Sequence, residues 1–488
     1  MLFETGRMGK LSLVFLPMCG AGHLVPMVET AKRLLQLQQE ENLFSVTVLL
    51  IQPPSPASAT TFSSYVHSIT FSGLDIHFQD LPPVDPPTEI DGAEDFVSLY
   101  FQSHKPHVKA ALTQSSVPVA ALVLDFFATT IIDVADELGV PSYIFFTSTA
   151  AMLALTLHLP TLHDKIPVEF GELEGHVEVP GVPPIPPLSM PTPFMNKKSR
   201  DYTWFVYHGK RFLEAKGIIV NTFIELEPGP LEALREGRCV PNHPTPAIYP
   251  VGPVTALEDD TNKANSERHE CITWLKGQPP ASVVFLCFGS RGSFGAPQVR
   301  EMAIGLERSG HRFLWCLRTP STGKFPHPVD ANLEEVLPKG FLERTAERGL
   351  VWPTWVPQEE ILAHEAVVGF VTHCGWNSIL ESLWFGVPML GWPLYAEQHM
   401  NAFELERMTG VAVQLKVDRK GGGFVGAEEL ERGVRCLMGD SEEGKKVRAK
   451  AEEMRMAIKN AIGEEGSSYL YLRQLAEDMS KRGASDKY

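Results

Sequence analysis

The stretch Trp355 to Gln398 decides the fold and reads WVPQEEILAHEAVVGFVTHCGWNSILESLWFGVPMLGWPLYAEQ. Within it, the apolar run Val367 to Thr372 predicts a short buried strand, and Ser378 to Trp384 opens as a helix. Cys374 to Trp376 form a turn between the two, and Gly386-Val387-Pro388 ends the helix. A strand that runs through a tight turn into a helix is the repeating unit of a parallel α/β sheet.

Polar side chains gather where this strand ends and this helix begins, namely His373, Asn377 and Ser378. A helix N-terminus has free backbone N–H groups and the positive end of the helix dipole, which together favour a phosphate. Open α/β sheets also bind their ligands at this edge. A purely structural interpretation is open as well, because Ser378 with Glu381 forms a capping box and Asn377 is an ordinary N-cap residue.

The composition excludes several classes of partner. The chain has 488 residues, with 43 Lys and Arg against 59 Asp and Glu, a net charge of −16. Because the charge is acidic and basic residues form no long run, nucleic acid and anionic membrane surfaces are not expected as partners. The length favours two to four domains, which allows both a large core and a cleft between domains.

Cysteine usage and hydropathy indicate a location in the cytoplasm. The seven cysteines are scattered, odd in number and without a Cys-x-x-Cys pair, which favours free thiols in a reducing compartment. The apolar run Leu11 to Pro17 is too short for the core of a secretion signal. No stretch of eighteen apolar residues occurs, so stable membrane insertion is not expected.

Strands and helices alternate through two halves of the chain, which predicts parallel sheets with right-handed crossovers. A proline-rich segment, residues 167–193, is expected to be a surface loop beside a cleft, and the polar residues 255–270 are expected to link the halves. In the first half, strands are predicted at 11–16, 45–51, 69–78, 119–124, 142–146 and 217–221, and helices at 24–39, 96–112, 130–138, 202–214 and 228–235. In the second half, strands are predicted at 283–288, 311–318, 367–372 and 411–416, and helices at 298–309, 378–384, 427–437, 441–462 and 467–480.

Several motifs along the chain carry a family resemblance. They are the PxxxxGHLxP pattern from Pro17 to Pro26, Asp-Phe-Phe at 125–127, Val-Gly-Pro at 251–253, Phe-Gly-Ser at 288–290, and the stretch quoted above. Together they resemble the plant family-one UDP-sugar-dependent glycosyltransferases, whose signature box matches Trp355 to Gln398 at its full length. The resemblance implies a GT-B fold: two Rossmann-like domains with parallel sheets and helices on both faces, facing each other across a cleft.

The resemblance also implies a division of the chain. Residues 1–250 would form the acceptor-binding domain, 251–270 the linker, and 271–465 the domain that binds the UDP-sugar. Residues 466–488 would form a helix that packs back on the first domain. The protein is expected to be a monomer.

A histidine and an aspartate in the first half form a candidate base. His23 follows the first strand and Asp125 ends the strand expected beside it, so both side chains leave the sheet at its carboxyl edge. A carboxylate that holds a histidine fixes its tautomer and stabilises the imidazolium, as deprotonation of a hydroxyl requires. Alternatively, His23 is a polar residue leading a helix and Asp125 a turn residue. The resemblance implies that they are the general base and its partner.

The resemblance further implies the residues that hold the donor. Trp355 would stack on the uracil, and the backbone of Val356, where the family usually has Ala, would bond its edge. Gln358 and Glu381 would bind the ribose, and the diphosphate would be bound by Ser290, His373, Asn377 and Ser378. The sugar would be bound by Thr147, Trp376, Glu397 and Gln398. In the family, Gln at the last position of the box and Trp at the position of Trp376 indicate a preference for glucose as the donor sugar.

An acceptor pocket is expected beside Phe126, Phe127 and Tyr395, because aromatic side chains suit a flat phenol such as a flavonoid. The expected reaction is attack on the anomeric carbon with inversion, with a UDP-sugar as co-substrate and no bound cofactor. No metal is required in this scheme, and the sequence contains no Asp-x-Asp motif.

Three other functions compete with this expectation. C-glycosylation of a phenol ring carbon stays open, as does a UDP-sugar-binding protein without turnover. A His–Asp hydrolase is disfavoured because Gly-x-Ser-x-Gly is absent.

Overall fold

The computed structural model describes residues 10–37, 43–53, 65–70, 72–256, 269–321 and 328–481 of the chain. Among these residues, seven strands form one parallel sheet in the order β3-β2-β1-β4-β5-β8-β9. These strands are β1 (Leu11–Leu16), β2 (Phe44–Leu50), β3 (Ile76–Asp80), β4 (Val119–Asp125), β5 (Ser142–Phe146), β8 (Gly217–Val220) and β9 (Ala247–Pro250). A small antiparallel pair, β6 (Val177–Val179) and β7 (Val182–Ile185), lies outside this sheet.

A second parallel sheet, in the order β14-β11-β10-β15-β16-β17, is built from the second half of the chain. Its strands are β10 (Val283–Cys287), β11 (Arg312–Cys316), β14 (Gly349–Trp352), β15 (Val367–Thr372), β16 (Met389–Gly391) and β17 (Ala412–Gln414). The short strands β12 (Arg318–Thr319) and β13 (Val329–Asp330) pair beside it. Both sheets are covered on two faces, which explains why central strands such as LSLVFL and VVFLC are almost entirely apolar.

Helices cover the faces of both sheets. In the first half they are Ala21–Leu37, Ala93–Ser103, Lys105–Thr113, Ile132–Glu137, Ala150–Lys165, Arg200–Arg211 and Pro228–Arg235. In the second half they are Glu270–Lys276, Ala296–Ser309, Leu333–Val336, Phe341–Thr345, Gln358–Leu362, Trp376–Trp384, Gln398–Glu404, Ala427–Met438, Glu442–Ile462 and Ser467–Ser480.

Two helices pack against the half to which they do not belong in sequence. Helix Ser467–Ser480 buries Leu475 and Met479 in the same hydrophobic cluster as Leu13 and Phe15 of β1. Helix Gln398–Glu404 likewise contributes Met400 and Phe403 to the main hydrophobic cluster of the first half. The chain therefore crosses between the halves more than once. The domain boundaries stay a prediction, and most of the predicted linker lies outside the described residues.

Both sheets change direction at comparable places. In the first sheet β1 lies between β2 and β4, and in the second β10 lies between β11 and β15. Successive strands therefore depart from the middle of each sheet toward opposite edges, which opens a crevice at the carboxyl ends of β1 with β4 and of β10 with β15. His23 and Asp125 follow the first pair of strands, and Gly289 and His373 follow the second.

Three predicted elements of the first half are wrong in their bounds. The first helix begins at Ala21, so His23 stands in its first turn and not in a loop before it. The helix predicted over 96–112 is divided at His104, because Pro106 follows in the first turn of the next helix. The strand predicted from residue 69 begins only at Ile76, after a helix over 65–70 and a turn with Gly73 at φ 76°.

The sequence-based predictions do not include two regions of regular structure. Helix Ala150–Lys165 was not predicted at all; Thr149 caps it by accepting a hydrogen bond from the Met152 N–H. The segment 167–193, predicted to be a loop without regular structure, contains the antiparallel pair of β6 and β7 and buries Phe170 and Met190 completely. Prolines are compatible with this pair because an edge strand needs few backbone donors.

Candidate active site

His23 and Asp125 meet at the carboxyl edge of the first sheet. The first turn of helix Ala21–Leu37 carries His23, and Asp125 is the last residue of the adjacent strand β4. The His23 Nδ1 atom lies 2.6 Å from Asp125 Oδ2, and the Asp125 side chain is fully buried while His23 keeps 18% of its surface exposed. The local topology therefore produces a histidine that is fixed on one ring nitrogen and open on its other side.

The surroundings of this pair hold it in place. The Phe127 N–H donates to Asp125 Oδ1 at 3.0 Å, and the Met18 N–H reaches Oδ2 at 3.4 Å. The Phe126 ring stacks on the imidazole with centroids 5.6 Å apart. With its oxygens bonded to backbone donors, the carboxylate is held in an orientation that lets it accept a hydrogen bond from His23 Nδ1–H.

A buried histidine lies at the end of β15 in the second half. His373 directly follows β15, and its ring lies against Gly289 and Gly375, where a Cβ on Gly289 would come within 2.6 Å of Nε2. Burial lowers the pKa of His373 to about 4, so the ring is neutral near pH 7. Among the described residues, its buried Nδ1 has no hydrogen-bond partner. A buried polar atom without a partner requires an explanation, and a bound ligand is one that fits this position.

The helix after this histidine begins without a side-chain cap. Its N-cap is Gly375, and the capping box predicted as the structural alternative for Ser378 and Glu381 is wrong. Asn377, proposed in that alternative as the N-cap, lies inside the helix, and its Nδ2 donates to the Gly22 carbonyl at 3.0 Å. The free N–H groups of the first turn thus point to the crevice, next to the first half of the chain.

Gln358, Ser378 and Glu381 form one hydrogen-bonded group. The Gln358 Nε2 donates to Ser378 Oγ at 2.9 Å and to Glu381 Oε2 at 2.6 Å. Burial and then the nearby Glu359 carboxylate raise the pKa of Glu381 to about 8, and the bond from Gln358 acts in the opposite direction. A carboxyl group in this setting gains from further donors, such as the hydroxyls of a ribose.

The other residues predicted to bind the nucleotide differ strongly in exposure. The Trp355 side chain is 58% exposed, which is unusual for Trp and leaves a flat apolar face open to a base, whereas Val356 is buried. Ser290 is exposed in the turn after β10, where Gly289 adopts φ 70°. This turn and the helix that follows Gly375 lie at the ends of neighbouring strands, so both can reach one ligand.

The residues predicted to bind the sugar differ in burial and in their hydrogen-bond partners. Burial raises the pKa of Glu397, while its own backbone N–H, His23, Asn401 and Ser148 act in the opposite direction. Gln398 Oε1 accepts from the N–H groups of Leu394 and Tyr395, both at 3.0 Å. Its amide nitrogen remains the group that could bind a sugar hydroxyl.

Thr147 lies close to the His–Asp pair, whereas Trp376 does not offer its polar group to the crevice. Thr147 Oγ1 lies 3.4 Å from His23 Nδ1. The Trp376 side chain is buried, and its indole N–H donates to the Asn221 carbonyl at 2.7 Å. A sugar contact by the indole N–H of Trp376 is therefore not supported by this geometry.

Sequence reasoning missed two residues that interact with Glu397, namely Ser148 and Asn401. Asn401 follows Glu397 by four residues and so lies on the same face of its helix, a spacing that could have revealed it. Ser148 comes directly after Thr147 at the end of β5, where only the neighbouring predicted contact hinted at a role.

The residues predicted for the acceptor pocket lie around the histidines. Phe126 and Phe127 have centroids 4.0 Å apart and both pack near His23, whereas Tyr395 lies 6.4 Å from the His373 ring. Phe126 and Phe127 are buried and belong to the main hydrophobic cluster of the first half, so each has a structural role as well. In the part of the chain that the structure describes, no group of three or more His, Cys, Asp or Glu side chains could hold a metal ion. No helix within the described ranges is both long and apolar enough to cross a membrane.

Comparison with known proteins identifies the family. Residues 240–442 match the sequence model described as UDP-glucoronosyl and UDP-glucosyl transferase. Malvidin galactosylase UGT88C3 of Oryza sativa subsp. indica is 51% identical over 483 residues, covering 98% of this chain and 99% of that protein. The chain belongs to the plant UDP-glycosyltransferases.

Two further relatives agree with this family assignment. Flavonol 3-O-glucosyltransferase UGT71C4 of Arabidopsis thaliana is 40% identical over 98% of this UDP-glycosyltransferase and 99% of its own length. The crystal structure of Medicago truncatula UGT71G1 complexed with UDP-glucose superposes with a TM-score of 0.82 at 39% identity, covering 96% of this chain and 98% of that one. The predicted GT-B fold with two Rossmann-like parallel sheets is confirmed.

Proposed function

We propose that this UDP-glycosyltransferase moves glucose from UDP-glucose to a hydroxyl of a plant phenol, with inversion at the anomeric carbon and His23 as the general base. The contact of 2.6 Å between His23 Nδ1 and the fully buried Asp125 carries the proposal. Asp125 keeps the proton on Nδ1, so the lone pair of Nε2 is free to take a proton from the acceptor. The imidazolium that forms is then stabilised by the carboxylate.

The UDP group is proposed to lie along the crevice of the second half. Trp355 would stack on the uracil, Val356 would bond its edge through the backbone, and Gln358 with Glu381 would bind the ribose. The diphosphate would meet His373, Asn377, Ser378 and Ser290. Support comes from the unpartnered His373 Nδ1, the exposed Trp355 ring and the uncapped helix start after Gly375. These donors would stabilise the charge on the departing UDP.

Glucose as the sugar is proposed with support from Gln398, Glu397 and Thr147. Glu397 and Thr147 both lie near His23, and the Gln398 amide nitrogen is available although its oxygen is bonded to the backbone. Trp376 contributes less than the sequence pattern indicates, because its indole N–H is bonded to Asn221. One relative is named a galactosylase, so UDP-galactose is the competing donor to be measured.

The acceptor is proposed to be a flavonoid-like phenol. The aromatic pair Phe126 and Phe127 beside His23 offers flat apolar surface to an aromatic ring. Two relatives are named for malvidin and for flavonols, which supports the same class.

The direct test is product formation by the protein and two variants. The protein is incubated with UDP-glucose or UDP-galactose and a panel of phenols, and a gain of one hexose is measured by mass spectrometry. His23→Ala should lower kcat/KM by about a hundredfold or more, because it removes the base. His77→Ala is the matched control, since His77 also lies 2.8 Å from an aspartate, Asp75, but at the surface, with 71% of its side chain exposed.

Each outcome has a defined meaning. If His23→Ala is as active as the unmodified protein, His23 is not the base. If UDP-glucose binds but no phenol gains mass, the protein binds a UDP-sugar without turnover. A product that survives acid hydrolysis is a C-glycoside, which would replace the hydroxyl acceptor by a ring carbon.

A further inference from the structure

Helix Gln398–Glu404 joins the two halves of the enzyme. It follows β16 of the second sheet and begins directly after Glu397, so its first turn carries the proposed sugar contacts. Its apolar face packs into the first half, where Met400 is fully buried and Phe403 nearly so. The position of Glu397 and Gln398 relative to His23 therefore depends on how this helix is held.

The last residue of this helix, Glu404, interacts with a second buried carboxyl group. Glu404 is 2% exposed, and Glu227 of the first half is fully buried. The two Glu227 oxygens accept from the N–H groups of Ala150 and Ala151 at 2.9 and 2.8 Å, so this carboxylate caps helix Ala150–Lys165. Both oxygens of this side chain are therefore engaged by backbone donors.

Glu404 lacks the donors that Glu227 has. No backbone N–H of the described residues donates to either of its oxygens. The polar groups that interact with it are the Glu227 carboxylate and the Thr149 hydroxyl, and burial followed by Glu227 raises the pKa of Glu404 well above its usual range. A second negative charge here would be both desolvated and repelled, whereas a protonated carboxyl has an O–H to donate.

Other charged groups nearby face elsewhere. Glu406 and Arg407, on the π-helical segment Leu405–Thr409 that follows, pair with each other at the protein surface. His399, on the same helix as Glu404, interacts with Arg419. From the elements of the first half, Glu227 is the charged group that acts on Glu404 within the described residues.

We propose that Glu404 is a positioning residue for the donor sugar: as a neutral acid it donates a hydrogen bond to Glu227 across the interface between the two halves. This hydrogen bond connects two segments that each carry a residue proposed to bind the sugar. Glu227 fixes the start of helix Ala150–Lys165 and with it the segment Thr147 to Thr149, while Glu404 fixes the helix that begins after Glu397. The inference rests on the proposed sugar roles of Thr147 and Glu397.

The proposal has a defined dependence on pH. A carboxyl whose pKa is raised in the folded state contributes fully to stability below its unfolded pKa, about 4.3 for Glu. As pH rises from there toward the folded pKa, this contribution is lost, because the unfolded chain releases a proton that the folded chain keeps. One such group makes the unfolding equilibrium constant rise by about tenfold per pH unit in that window.

Three variants test the proposal. Glu404→Gln keeps the shape and a donor but does not titrate, and Glu404→Leu keeps the bulk without a donor. Glu406→Gln removes an exposed carboxylate from the adjacent π-helical segment. KM for the UDP-sugar and kcat are measured from pH 7 to pH 9, with urea unfolding from pH 5 to pH 9.

We expect the wild-type KM for the UDP-sugar to rise toward pH 9 more than kcat falls, and Glu404→Gln to remove most of that rise. At pH 7, Glu404→Gln should keep KM within about twofold of wild type, while Glu404→Leu should raise it by about fivefold or more, because uniform binding is lost. Unfolding of Glu404→Gln should depend less steeply on pH, by up to one proton. Glu406→Gln should match wild type in all measurements.

Several results would overturn the proposal. One is a Glu404→Gln protein with the same pH slopes as wild type, and another is a Glu404→Gln KM as high as that of Glu404→Leu. Failure of Glu404→Gln to fold at pH 7 would also count against it, since a neutral donor of equal shape should be accepted. The unfolding measurements need no turnover, so they separate this inference from a failure of the proposed function; binding of UDP-glucose by calorimetry replaces KM if no acceptor reacts.

Discussion

His373 shows how burial prepares a single residue for a charged ligand. Its ring is enclosed, its pKa is lowered to about 4 by burial, and its Nδ1 has no partner in the described chain. A diphosphate brought next to this ring would favour the imidazolium and raise the pKa. The site would thus be neutral without ligand and take up positive charge with it.

We therefore predict that binding of UDP-glucose takes up protons between about pH 5 and pH 6.5, and that His373→Gln loses this uptake. UDP-glucose is preferred to UDP as the probe because both of its phosphates are diesters and stay ionised in this range. Calorimetric titrations in two buffers of different ionisation enthalpy give the number of protons bound. Equal proton uptake by both proteins would remove His373 from the diphosphate contacts.

At the scale of single residues, the sequence predicts where a functional side chain lies better than it predicts the hydrogen bonds of that side chain. His23 and Asp125 could be paired because each follows a strand of one parallel sheet, and strand ends meet at one edge. The hydrogen bond from the Trp376 indole N–H to the Asn221 carbonyl joins residues that are 155 positions apart in sequence. No local pattern contains such a contact, so it becomes visible only once both halves are packed.

Among the elements, the turn after β10 has a strict local requirement for glycine. Gly289 adopts φ 70°, and a Cβ there would lie 2.6 Å from His373 Nε2. A side chain at this position is thus disfavoured both by the backbone and by the ring beside it.

Gly289→Ala should lose stability by about 1–2 kcal/mol and should also weaken the binding of UDP by about tenfold, because it displaces the His373 ring. Gly310→Ala is the matched control, since Gly310 has φ 76° but nothing within 4 Å of the added Cβ. The control should lose similar stability and keep its UDP affinity, as measured by thermal unfolding and calorimetry. Equal loss of affinity in both variants would contradict a specific role of the turn.

Prediction of elements succeeded where hydrophobicity has a clear period and failed where it does not. Helix Ser467–Ser480 has one apolar face and both of its ends were predicted. Helix Ala150–Lys165 is buried along nearly its whole length and contains Pro160, so it shows no amphipathic period. Its apolar residues reflect its place between the sheet and other helices, which only the tertiary structure supplies.

At the scale of the whole molecule, helix Ser467–Ser480 covers one face of the first sheet. Helix Ser467–Ser480 buries Leu472, Leu475, Ala476 and Met479 against it. The Tyr249 hydroxyl of β9 donates to Asp478 Oδ2 at 2.8 Å, and the Ser468 hydroxyl donates to the Gly252 carbonyl. The sheet that carries Asp125 at the end of β4 is therefore supported by residues more than two hundred positions later in sequence.

Leu475→Ala should destabilise the first half by about 2–5 kcal/mol, the usual range for a cavity left by a fully buried leucine. Leu470→Ala is the control on the same helix, because that side chain is 48% exposed and its loss should change stability by about 0.5 kcal/mol or less. Hydrogen exchange followed by mass spectrometry should show lost protection in β1 and β9. Equal loss in β10 and β15 would mean that the two halves unfold as one unit.

The placement of this helix also sets an order for biosynthesis. The strands of the first sheet leave the ribosome by residue 250, but the helix that covers one face follows only at residues 467–480. At about 5–20 residues per second, this face waits on the order of tens of seconds while the second half is made. The nascent enzyme thus presents an uncovered apolar surface to chaperones for nearly half of its translation.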